Sequence, residues 1–195
     1  MSKELHEMTN EELWELFPVI ITEYDPIWKE NYCIEKEHLE KTLGKENIYR
    51  INHYGSTAVP NLYSKPTIDI LVEIKEFADT QKIIENMEFM GYIYTPQPNN
   101  APPHMMYMKG YTKEGFKGQV YHVHIRYAGD WGELYFRDYL IENVEIAEEY
   151  GKLKHELMQK FKNDRDAYTE AKTEFIKKHT EKAKENFKGR YEIKR

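Results

Sequence analysis

The sequence predicts an α+β domain: a small mixed β-sheet packed against helices, with a helical segment over about 132–188. Three observations predict it. Short apolar, β-branched runs alternate with stretches of helical period, in the order α-β-α-β-β-α-β-β-α-α-α. Ile146, Tyr150, Leu153, Leu157 and Phe161 recur every three or four residues and line one helix face. A length of 195 residues fits one domain or one domain with appended helices.

The elements follow in order. Thr9–Glu12 has the spacing of a capping box, so a short helix runs through Leu13, Trp14 and Phe17 and ends before Pro18. Val19–Tyr24 reads as a short strand. Asp25-Pro26 starts the next helix and Gly44 stops it, with Trp28, Tyr32, Leu39 and Leu43 at helical spacing. Ile48–Tyr54 is a strand. A turn at Gly55-Ser56 and an irregular piece through Leu62 lead to the strand Thr67–Ile74. Ala78–Met90 is a helix closed by Gly91, and the proline-rich Thr95–His104 is a surface loop. Met105–Lys109 and Gln119–Tyr127 form a hairpin around a glycine-punctuated turn. Asn163 or Asp164 caps one long last helix carrying Tyr168, Ala171 and Phe175.

Composition bounds the function. No apolar run approaches the roughly 20 residues of a membrane-crossing helix, and the polar, acidic first residues carry no signal-peptide core. A cytoplasmic protein without a membrane partner is the expectation. Cys33 is the single cysteine, so no internal disulfide and no cysteine metal motif is expected. Through Tyr150, 26 acidic residues face 14 basic ones, a balance of −12; from Gly151 on, 14 basic face 8 acidic, a balance of +6. Such an asymmetry marks either a solvated lysine-rich helix face, the favoured reading, or a tail that faces a polyanion. The net −6 and the lack of arginine-rich or aromatic-interleaved stretches argue against nucleic acid.

One stretch concentrates the chemistry. In "PTIDILVEI" the strand alternates, so Asp69, Leu71 and Glu73 share one face and Ile68, Ile70, Val72 and Ile74 the other. A carboxylate in such a strand needs a partner, either a cation such as Lys65 or a ligand. Gly55-Ser56 lies just before it, where glycine lets backbone approach a ligand and serine offers a hydroxyl and adjacent N–H groups to phosphate. His53 and Lys65 flank the pair and serve either phosphate charge or structure.

The stretch "HYGSTAVPNLYSKPTIDILVEI" resembles the signature of the GrpB family, H-x-G-S-T-[AS]-V-P-x-L-x-[AS]-K-P-x-I-D-I. "YHVHI", "FRDYLIENVEIAEEYGKLKHEL" and "DRDAYTEAKTEFI" are similar to that family's later segments, so the likeness runs from about Ile21 to about Lys182. It implies a nucleotidyltransferase-like fold over 19–195, preceded by an N-terminal extension, 1–18, with a short helix. In active members of that superfamily a Gly-Ser turn holds the triphosphate and an acid-x-acid strand holds divalent metal. Carried over, Gly55 and Ser56 match the phosphate-holding pair and Asp69 one strand acid, the expected catalytic acid and metal ligand; Thr57 and the flanking Lys65 and His53 join the expected phosphate or nucleotide set.

This chain departs from that pattern, because Thr67 and Leu71 stand where a second acid would be. Glu73 lies roughly 13 Å along the strand from Asp69, too far to share an ion. His122 and His124 alternate on one strand and either join Asp69 around Mg, Mn or Zn or are hydrogen-bonded sheet histidines. Arg137 with Asp138, Lys154, and Tyr168 with Lys172 read as helix ion pairs or as site residues. The expected function is binding of a nucleotide or phosphorylated small molecule, with metal-dependent nucleotidyl transfer if Asp69 is catalytic. The alternative is a non-catalytic binding or regulatory module that has lost part of its metal site.

Overall fold

Strand β2 (Thr67–Ile74) alternates as its sequence requires. In the computed structural model, which describes residues 3–193, it lies inside a five-stranded mixed sheet. The order is β1-β2-β5-β4-β3, with β1 Ile48–Tyr54, β3 Ile93–Pro96, β4 His104–Thr112 and β5 Gly115–Tyr127. β2 runs parallel to β5, and the other neighbours are antiparallel. The register places Asp69 opposite His122 and Leu71 opposite His124.

On one face Ile68, Ile70, Val72 and Ile74 join Val123 and Ile125 in the main core. Helix α2 (Ile27–Leu43) covers it with Trp28, Leu39 and Leu43, and α3 (Thr80–Phe89) with Ile83 and Met87. The opposite face carries Asp69, Glu73, His122 and His124. Over it lie α4 (Gly132–Glu142), α5 (Val144–Lys160) and α6 (Arg165–Glu170), with α7 (Thr173–Asn186) packed against α4. Leu140, Ala147 and Tyr150 of the helices pack on Val59 and Leu62, which follow the Gly-Ser turn. Helix α1 (Asn10–Leu16), closed by the Thr9–Glu12 capping box, delivers Phe17 against Tyr111 and Phe116 of the β4–β5 hairpin. The α+β class is therefore as the sequence predicts. No helix among the described residues is long and apolar enough to cross a membrane.

Four local expectations are corrected. Val19–Tyr24 is no strand of the sheet. Pro18 and Asp25-Pro26 bound it too tightly, and it keeps a single bridge, Thr22 to Ser64. Thr95 and Pro96 are not loop but part of β3, an edge strand whose pairing with β4 no local pattern announces. The hairpin is longer than its glycines suggest: only Lys113 and Glu114 separate β4 from β5, and Gly110 sits at a register shift. Phe17 packing on Tyr111 and Phe116 holds the outer hairpin in strand despite the low strand propensity of Gly110, Gly115, Lys117 and Gly118. The last helix is two. Asp164 caps α6 through its contact with Ala167 N (2.9 Å), but the chain breaks at Ala171-Lys172 without a glycine or proline to mark it.

Candidate functional site

β1 ends at Tyr54, and Gly55 follows with a φ of +72° and ψ of −174°, a region that only glycine occupies readily. A Cβ at Gly55 would also overlap Asp69 Oδ2. Glycine is thus what lets the turn lie directly on the strand acid. Ser56 then faces a hollow of about 320 Å³ that also touches Lys65, Asp69, His122, Lys154, Arg165 and Lys172. A larger groove of about 690 Å³ runs along α5 past Tyr63 and His155, while the unpartnered buried Lys154 Nζ and Tyr168 hydroxyl belong to residues of the smaller hollow.

A directed chain of polar contacts sets the floor of the hollow. His122 Nδ1 lies 3.4 Å from Asp69 Oδ1, and its Nε2 lies 2.8 Å from the Tyr111 hydroxyl. Arg165 Nη2 donates to that same hydroxyl at 3.2 Å. The nitrogen facing a carboxylate carries the proton, so Nε2 accepts, and the Tyr111 O–H donates to it. The assigned direction runs Arg165 to Tyr111 to His122 to Asp69. Burial opposes ionisation of Asp69, yet its hydrogen bond to His122 and the nearby Lys65 hold its carboxyl below the usual range.

The walls are built of basic side chains. Burial, then the charges of Arg165 and Lys172, bring Lys65 down to about 7, and Asp69 only partly opposes them. Burial likewise brings Lys172 down to about 8. Lys154 is 2% exposed and its Nζ has no hydrogen-bond partner, and burial with the nearby Lys172 charge pushes it well below the lysine range. The Tyr168 hydroxyl is buried and unpartnered as well. Each orphaned group is a cost the fold carries in the absence of a ligand.

Of the residues singled out in the sequence, Gly55, Ser56, Lys65, Asp69, His122, Lys154, Tyr168 and Lys172 come together. His53 does not: it faces the α2 side, stacks on Tyr32 at 4.8 Å and shares a 3.0 Å contact with Thr57 Oγ1. Burial brings it down to about 4. Thr57 is buried and donates to Thr67 O at 3.0 Å, tying the turn to β2. His124 shares the sheet face with Asp69 but stands edge-on to Tyr54, its Nδ1 buried without a partner. Glu73 is locked to Arg50, with Arg50 Nη2 to Glu73 Oε1 at 2.9 Å. Arg137 pairs with its neighbour Asp138 at 2.7 Å. The sequence reading missed Arg165. Its signal, a basic residue directly after the Asp164 cap, is shared by many solvent-facing helix starts.

The donors do not assemble the divalent-ion site that the signature implies. Both His122 nitrogens are engaged, and no group of three His, Cys, Asp or Glu side chains converges among the described residues. Magnesium would have one carboxylate, and that carboxylate is ringed by three lysine amines and a guanidinium.

Fold and hollow define an α+β protein in which a glycine turn and a strand acid face a cationic helical wall. The chain belongs to the GrpB family: the model described as GrpB protein matches residues 18–182. It is 35% identical over 184 residues to UPF0157 protein YqkA of Bacillus subtilis, covering 91% of this chain. The chain spans only 52% of that relative's length. It is 32% identical over 161 residues to Glutamate-rich protein GrpB of Alkalihalophilus pseudofirmus, covering 81% of this chain and 91% of that one. The crystal structure of conserved protein GrpB from Enterococcus faecalis superposes with a TM-score of 0.75 at 35% identity, over 86% of this chain and 99% of that one.

Proposed function

We propose that the hollow binds the phosphate end of a nucleotide or another phosphorylated small molecule, on a nucleotidyltransferase-like scaffold. One observation carries the reading. Lys65, Lys154, Arg165 and Lys172 face a single carboxylate, and the Lys154 ammonium position and the Tyr168 hydroxyl are buried with no protein acceptor. Phosphate oxygens supply the missing acceptors, and charge-assisted bonds to them are the strong kind. The Gly55-Ser56 turn brings a hydroxyl to the same space. A binding or regulatory module needs nothing more. Metal-dependent nucleotidyl transfer is the second reading. It has the contact of Asp69 with the glycine turn in its favour and the donor set against it.

Thermal melting against nucleoside mono-, di- and triphosphates, sugar phosphates and pyrophosphate tests the proposal. A ligand at about 100 times its Kd stabilises by roughly 2.7 kcal/mol. Lys154→Met and Lys172→Gln should remove most of that gain while the unliganded fold persists. If no phosphorylated compound raises the melting temperature, with or without divalent ions, the proposal is wrong. Release of pyrophosphate from labelled nucleotide, abolished by Asp69→Asn, would instead establish transfer.

A further inference from the structure

The charge pattern of the hollow says in which form the anion arrives. Divalent ions accompany phosphates into protein sites because they neutralise charge and bridge oxygens to one or two carboxylates. Here that neutralising work is already assigned to side chains. Four basic residues from four places in the fold converge: Lys65 just before β2, Lys154 on α5, Arg165 at the start of α6, and Lys172 at the α6–α7 break. Asp69 is the only carboxylate among the lining residues.

We infer that the hollow takes its phosphate ligand as the free polyanion, with the lysines and Arg165 standing in place of a divalent cation. The inference rests on the phosphate-binding reading and deepens it. A magnesium-complexed phosphate would carry less negative charge to a wall built for more, and would set a dication beside Arg165 and three amines whose protonation the free anion favours. Asp69 would be the dication's one carboxylate, and His122 offers no lone pair, since Nε2 takes the Tyr111 proton and Nδ1 faces the acid. The role left for Asp69 is to hold its basic neighbours in place. It moderates the positive potential of the hollow and reaches no ligand oxygen favourably, because both are anionic.

That role has an unusual consequence. Removing a metal-binding acid destroys anion binding, whereas removing an acid that merely offsets lysines strengthens it. The experiment is calorimetric titration with inorganic pyrophosphate, once in EDTA and once in excess Mg²⁺, on the native protein and on Asp69→Asn, with circular dichroism confirming the variant's fold. The expected result is tighter binding in EDTA than in Mg²⁺, and a several-fold gain in affinity for Asp69→Asn. Lys172→Gln should weaken the EDTA titration by roughly tenfold or more, the worth of a hydrogen bond to a charged group.

Binding that appears only with Mg²⁺, or that Asp69→Asn weakens, overturns the inference and leaves phosphate binding intact. The absence of any phosphate binding in either buffer removes both. The native-protein comparison decides the question even if the variant does not fold.

Discussion

At Gly55 two requirements meet in one residue, a backbone conformation closed to side chains and an acid lying where a Cβ would go. Gly55→Ala is expected to lose about 1–3 kcal/mol from the backbone alone, and more from displacing Asp69. An unchanged urea midpoint would contradict that account. The lysines give a pH dependence whose sign is fixed. Lys65 and Lys172 stand at about 7 and about 8 in the folded chain against an ordinary 10.5. Between those values the unfolded chain binds more protons, so stability rises as pH rises. Melting temperature should therefore climb above pH 7, read below about pH 9.5 so that tyrosine ionisation stays out of the measurement. The double variant Lys65→Met/Lys172→Met should flatten the climb. A melting curve indifferent to pH in both proteins would show that these amines are not held neutral.

At the level of elements, the hollow depends on a handshake between the β4–β5 hairpin and α6. Tyr111 comes from β4, past the register shift at Gly110, and receives Arg165 from α6 while donating to His122 on β5. Phe17, delivered by α1, buttresses the same tyrosine ring at 4.9 Å. Tyr111→Phe keeps the ring and removes the relay. The expected cost is about 1–3 kcal/mol for buried partners left unmatched, with His122 losing its fixed tautomer. Nitrogen NMR shifts of the imidazole report that directly. An unaltered tautomer in the variant would place the control of His122 elsewhere.

Across the whole molecule, the end of the described chain is fastened back to the sheet. Arg50 on β1 pairs with the fully buried Glu73, and it also donates to Gly129 O at 2.7 Å and Tyr191 O at 3.0 Å. Gly129 N closes the ring by donating to Glu73 Oε1 at 3.0 Å. Arg50→Met would strand a buried carboxylate, a loss of about 3–5 kcal/mol. If denaturant unfolding of the variant matched the native protein, this ion pair would not be the fastening. Glu73 shares a face with Asp69 and looks equivalent in sequence. Its burial against Arg50 makes it architecture, while Asp69, 26% exposed at its side chain, opens on the hollow.

The sequence by itself determined the α+β order, the capping box at Thr9, the alternation that turns Asp69 away from its isoleucines, and the glycine turn before it. All of these are set by residues within a few positions of one another, where period and cap chemistry act. Only the tertiary structure decided that β2 lies beside β5 with Asp69 against His122, that His53 and Thr57 serve the turn, and that Lys154, Arg165 and Lys172 meet over the acid. A lysine on an amphipathic helix reads the same whether it ends in water or in a hollow. Packing alone removes the water, and with it the difference between a solvated face and a binding wall.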